Sequence, residues 1–139
     1  MKLLDVPCVL EKWRKRGYTE KIVERLRHYG LAEYAYGRYW SVIPSPILLE
    51  VSELLPRCAY KERQNNSPTV GEFIDIARRH GNLYFVTMVK PQPNELFVIE
   101  GLYIPPEEKD LVEWAKSYEP DVIGETQAKG ETFIYCWWD

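Results

Sequence analysis

The sequence is poor in the residue types on which most catalytic and metal sites depend. It has two histidines, His28 and His80, and neither neighbours a nucleophile pattern. Its serines, Ser41, Ser45, Ser52, Ser67 and Ser117, sit in no elbow motif, so a hydrolase built on an activated hydroxyl is not supported. Cys8, Cys58 and Cys136 are odd in number and far apart. Without a paired spacing there is no zinc motif and no redox dithiol, and the three read as free or buried thiols in a reducing compartment. No metal ligand, cofactor or catalytic residue is expected, and the chain is not read as an enzyme.

Long apolar runs are absent too. Asp5 and Pro7 break the apolar start before it can act as a signal segment, and no later stretch approaches membrane-spanning length. The expectation is a cytoplasmic chain with no membrane partner. What is present is aromatic surface: five Trp and ten Tyr among 139 residues supply enough for a packed core and for interfaces. Charge is unevenly spread. Residues 1–63 hold 12 Lys/Arg against 8 Asp/Glu, and residues 64–139 hold 6 against 13, so the halves carry +4 and −7. Only the first half is suited to meet a polyanion.

The periodicity predicts an α+β protein. A helix opens near Pro7, carries Val9, Leu10 and Trp13 inward and stops at Gly17 after Arg14-Lys15-Arg16. Thr19 reads as the N-cap of a second helix whose apolar stripe is Ile22, Val23, Leu26 and Tyr29, with Lys21, Arg25 and His28 opposite. Residues 33–43 read as a tight hairpin around Gly37. Ser45 and Pro46 then start a buried helix over Ile47 to Leu55. The division that follows is a basic part over 1–56, an exposed loop over 57–68, and an acidic α+β part over 69–139.

That last part reads as two helix-strand-strand units. Thr69-Val70-Gly71-Glu72 is a capping box. Phe73, Ile74, Ile76, Ala77 and His80 have the spacing of Leu111, Val112, Trp114, Ala115 and Tyr118, 38 positions on. Each helix precedes two strands, 83–90 with 96–104 and 121–126 with 132–138. The expected product is a four-stranded antiparallel sheet with helices on one face. The closing run Phe133-Ile134-Tyr135-Cys136-Trp137-Trp138 is apolar on both strand faces, which suggests cover from a second subunit and hence a homodimer.

Glu24-Arg25-Leu26-Arg27-His28-Tyr29-Gly30-Leu31 followed by a tyrosine-rich hairpin with Arg38 near its tip resembles the recognition helix and wing of winged helix-turn-helix DNA-binding domains, over residues 7–43. The resemblance implies that Lys21, Arg25 and His28 face the major groove of double-stranded DNA. It places Lys12, Arg14, Lys15, Arg16, Tyr36 and Arg38 against its backbone. The family sets two helices before its recognition helix, whereas only eighteen residues precede Thr19. Glu100, taken in phase with Leu96, Val98, Leu102 and Ile104, would be a carboxylate among apolar and aromatic groups. Paired helix-strand-strand units holding such a residue resemble effector-binding domains of transcription regulators that take up cationic compounds, which makes Glu100 the ligand-binding candidate. Glu119, Asp121 and Glu125 are similar to the acidic strand motif of metal-dependent nucleases, but Gln127 stands where that motif has lysine. The leading expectation is therefore a small DNA-binding regulator with a dimerising or effector-binding C-terminal part. The alternative is a module that binds a protein partner without DNA.

Overall fold

The computed structural model describes residues 6–34 and 37–139. In chain order the elements are α1 (Val6–Arg14), α2 (Tyr18–Leu26), β1 (Ala32–Tyr34), β2 (Arg38–Pro44), α3 (Ser45–Ser52), α4 (Val70–Arg79), β3 (Tyr84–Lys90), β4 (Leu96–Ile104), α5 (Lys109–Lys116), β5 (Val122–Ala128) and β6 (Glu131–Trp137). Short 3-10 turns occupy Arg27–Tyr29 and Arg57–Lys61.

Among the described residues all strands join one antiparallel sheet of six, ordered β1-β2-β3-β4-β6-β5, instead of the expected four. The reason is the hairpin. β2 pairs with β3 from Tyr39↔Val89 to Pro44↔Tyr84, so the segment read as a wing extends the sheet. A hairpin satisfies only its inner ladder, and the free edge of β3 supplies the second one. Within the sheet, β3-β4-β6-β5 places the second strand of each helix-strand-strand unit at the centre, the arrangement two like units would give.

One face of the sheet carries the core. Ile43, Phe85, Val89, Phe97, Ile99, Leu102, Ile104, Cys136 and Trp138 point to it and meet buried residues of α2, α3, α4 and α5. Phe73 of α4 sits edge-on to Phe85 and to Trp138, each with centroids 5.9 Å apart. Because β6 lies between β4 and β5, helices of the same chain cover Cys136 and Trp138. On that face the cover assigned to a second subunit is intramolecular.

The capping box forms as read: Thr69 Oγ1 accepts from Glu72 N–H at 3.2 Å, and Glu72 Oε1 accepts from Thr69 N–H at 3.1 Å. The start of α2 does not. Thr19 is buried inside the helix, and Gly17 stands at the N-cap with φ 87°, a left-handed conformation that favours glycine. No N-cap side chain is available there, so a distant carboxylate, Glu95, serves instead.

Three further expectations change. Val9, Leu10 and Trp13 are 53%, 47% and 65% exposed, so α1 turns this stripe outward. The helix touches the body through Cys8, Lys12 and Lys15, and its apolar spacing by itself says nothing about which side is covered. Cys8 and Cys58 form a disulfide with Cα atoms 5.3 Å apart, although 50 residues separate them. Packing of α1 on the 57–61 turn creates this proximity, which sequence spacing cannot express. The bond also removes the thiol-based reason for a reducing compartment. Finally, the stretch 57–68 is not exposed throughout: Cys58, Ala59, Ser67 and Pro68 are buried, because it carries the chain back beneath α4. Among the described residues no helix is long and apolar enough to cross a membrane.

Candidate functional site

The basic residues of the N-terminal part divide by how they are engaged. Lys12 is 3.9 Å from Glu62, and Lys15 approaches Glu11 at 3.7 Å while its Nζ donates to Leu55 O at 3.1 Å. Arg16 donates to Trp13 O and stacks 4.4 Å above the Trp13 ring. Arg25 donates through Nε and Nη2 to one carboxylate oxygen of Glu50 and lies 5.2 Å over the Tyr29 ring. Arg14, Lys21, His28 and Arg38 are exposed, and none of them forms an ion pair among the described residues. Glu20 and Glu24 interrupt the exposed face of α2, and Glu24 pairs with Arg27 at 3.6 Å. Tyr36 lies outside the described residues.

The second cluster lies on the other face of the sheet. Along β4 the register passes from Val86↔Gly101 to Thr87↔Ile99, which leaves Glu100 as the extra residue of a β-bulge. The bulge shifts the phase of the strand. Phe97 and Ile99 face the core before it, Leu102 and Ile104 after it, so Glu100 does not share one continuous side with Leu96, Val98, Leu102 and Ile104 as expected. Its side chain emerges opposite the helices, where Trp40 Nε1–H donates to Glu100 Oε1.

Strand alternation brings aromatic groups to the same face: Trp40 from β2, Tyr84 from β3, Tyr103 from β4, and Phe133, Tyr135 and Trp137 from β6. Tyr103 and Tyr135 lie with centroids 4.8 Å apart, and Phe133 is edge-on to Tyr103 and to Tyr84. Gly101 makes this packing feasible. A Cβ there would come 2.8 Å from Val86 Cγ2 and 3.3 Å from Tyr135 Cε2. Nearby, a cavity of about 200 Å³ is lined by Val42, Tyr84, Tyr103, Ala128, Lys129 and Phe133. Lys129 Nζ is 4.9 Å from the Tyr84 ring centroid, so a cation already rests on this aromatic surface.

The electrostatics of Glu100 follow from that setting. Burial pushes its carboxyl above the ordinary range. Trp40 opposes this by hydrogen bonding, the charge of Asp139 adds to it, and Trp137 and Arg38 oppose it again. Burial likewise pushes the Tyr135 phenol up to about 12, with Tyr103 and Glu100 adding to the effect. Among the described residues no cationic side chain forms a salt bridge with Glu100, and no three His, Cys, Asp or Glu side chains gather as a metal site.

The sequence reading selected Glu100 but not Trp40, Tyr103, Tyr135 or Trp137 around it. One signal was legible: a glycine inside a strand, Gly101, marks a bulge or a close approach, and here it marks both. Trp40 reaches the site only through the β2–β3 ladder, which no local pattern in the hairpin expresses. Comparison with known protein families, curated proteins and solved structures finds no match. The fold and site define an α+β protein with helices on one sheet face and a half-buried aromatic cluster around a carboxylate on the other.

Proposed function

We propose that the chain is a binding protein for hydrophobic cations, with Glu100 as the counter-charge and Trp40, Tyr103, Tyr135 and Trp137 as the aromatic walls. The observation that carries this reading is the state of Glu100: half-buried, held by an indole N–H instead of a basic side chain, and surrounded by rings. A carboxylate in such a place gains from any cation that replaces the lost water, and ring faces attract the same charge. Lys129 over Tyr84 is an internal example of that attraction.

The test compares two probes of one shape and opposite charge, tetraphenylphosphonium and tetraphenylborate, by calorimetry and tryptophan quenching. The phosphonium should bind and the borate should not. Glu100→Gln keeps an acceptor for Trp40 but removes the charge, and should weaken phosphonium binding by about tenfold, the order expected for one desolvated charge contact. Equal binding of both probes, or no change in Glu100→Gln, would defeat the reading.

A second reading, duplex DNA binding by the N-terminal part, draws support from Lys21 and His28. They lie seven positions apart, both are exposed, and among the described residues neither has an acidic partner. With Arg38 they would meet phosphates, which makes binding steeply dependent on salt. Changing Lys21, His28 and Arg38 to Ala should lower affinity for random duplex and flatten the salt dependence. Equal binding by the variant would remove this reading.

A further inference from the structure

The exposed side of α1 combines features that neither reading above uses. Val9, Leu10 and Trp13 project from it, 53%, 47% and 65% exposed. In helical spacing Val9 and Trp13 are stacked at i and i+4, as are Leu10 and Arg14, so the apolar residues form one patch. Its edge is cationic: Arg14 closes the helix, and Arg16 follows with its guanidinium over the Trp13 ring. The acidic residue of the helix, Glu11, turns to Lys15 and Arg57 and is three-quarters covered. The Cys8–Cys58 disulfide, Lys15 Nζ to Leu55 O and the Lys12–Glu62 pair all hold the opposite side of the helix to the body. The apolar patch is therefore presented outward on a fixed helix.

We propose that α1 docks on an anionic lipid surface, with Val9, Leu10 and Trp13 entering the boundary between headgroups and acyl chains and Arg14 and Arg16 lying among the headgroups. Charge complementarity selects an anionic surface, and the projecting apolar residues select lipid over nucleic acid. Phosphate contacts need the cations but give Val9, Leu10 and Trp13 nothing to bury against. Three side chains also cover far less than the roughly 1,000 Å² that a stable protein interface needs. In a bilayer the same few groups suffice for reversible attachment, because apolar insertion and headgroup attraction add for each residue. Tryptophan at the edge of an apolar face with basic residues beside it suits that depth.

The test is flotation of the full chain with vesicles of phosphatidylcholine alone and of phosphatidylcholine mixed with phosphatidylglycerol, at low and high salt. Binding should require phosphatidylglycerol and weaken as salt rises. Arg14→Glu with Arg16→Glu should reduce partitioning by about fivefold or more for each charge. Leu10→Ala with Trp13→Ala should also release the protein, while circular dichroism stays unchanged because both residues are exposed. Retention of anionic-vesicle binding by the Leu10/Trp13 variant would overturn the proposal, since lipid insertion is its distinguishing step. So would failure to float with either vesicle. Binding to duplex DNA that both variants weaken equally, with no flotation, would assign the basic edge to nucleic acid instead.

Discussion

The carboxylate of Glu95 accepts the hydroxyl hydrogen of Thr19 at 2.6 Å, across 76 residues of sequence. The same oxygen accepts the backbone N–H groups of Gly17 at 2.8 Å and Thr19 at 3.3 Å. The first turn of α2 is thus capped from the β3–β4 connection, which also places a negative charge at the positive end of the helix. Glu95→Ala should destabilise the fold by about 1.5–3 kcal/mol, the range for hydrogen bonds to a charged group. Glu95→Gln should retain part of that, since its amide oxygen still accepts. Urea unfolding of both variants measures the difference.

The Cys8–Cys58 bond closes a loop of 50 residues around α1, α2, the hairpin and α3. Reduction, or Cys8→Ser with Cys58→Ser, should cost about 2–4 kcal/mol through the freed unfolded chain. Denaturant melts of the parent chain should separate, with the reduced chain unfolding at lower denaturant than the oxidised one. The double-serine variant should not respond to reductant.

Gly101 is occupied from both sides. Adding one methyl there brings it within 2.8 Å of Val86 Cγ2, on a strand whose neighbours cannot separate without breaking ladder bonds. Gly101→Ala should lose about 1–3 kcal/mol. Because Tyr135 is the other neighbour, the variant should also bind the phosphonium probe more weakly. A thermal melt and a titration check the two effects independently.

Two carboxylates should give the stability–pH curve opposite slopes. Burial alone would raise Glu72, but hydrogen bonds from Tyr118 and Thr69 outweigh it and hold its carboxyl below the ordinary value of 4.5. Its contribution is present above that value and is lost as pH falls below it. Glu100, raised by burial, has the reverse sign. The folded protein keeps its proton to higher pH than the unfolded chain, so stability declines as pH climbs from 4.5 through the raised value. Glu72→Gln should flatten the acid limb, and Glu100→Gln should flatten the decline above it. Stability measured across pH 3–7 would expose either expectation if the slopes did not change, a range bracketing ordinary carboxylate titration.

Much of this architecture is written locally. The capping box at Thr69 and Glu72, the stripe of Ile22, Val23 and Leu26, and the paired apolar spacing of α4 and α5 each depend on residues within two turns. A sequence expresses such features directly through periodicity and hydrogen-bonding chemistry. The α+β class follows from the same kind of signal.

What the tertiary structure alone decided is every relation between distant segments. The β2–β3 ladder turned a hairpin into part of a six-stranded sheet and thereby brought Trp40 to Glu100, 60 residues away. The bulge at Glu100 reversed the faces of β4, the docking of α1 left Trp13 outward, and the same docking joined Cys8 to Cys58. Each of these rests on which surfaces exclude water together. Local periodicity identifies an apolar stripe, but only packing of the whole chain selects its partner or leaves it exposed.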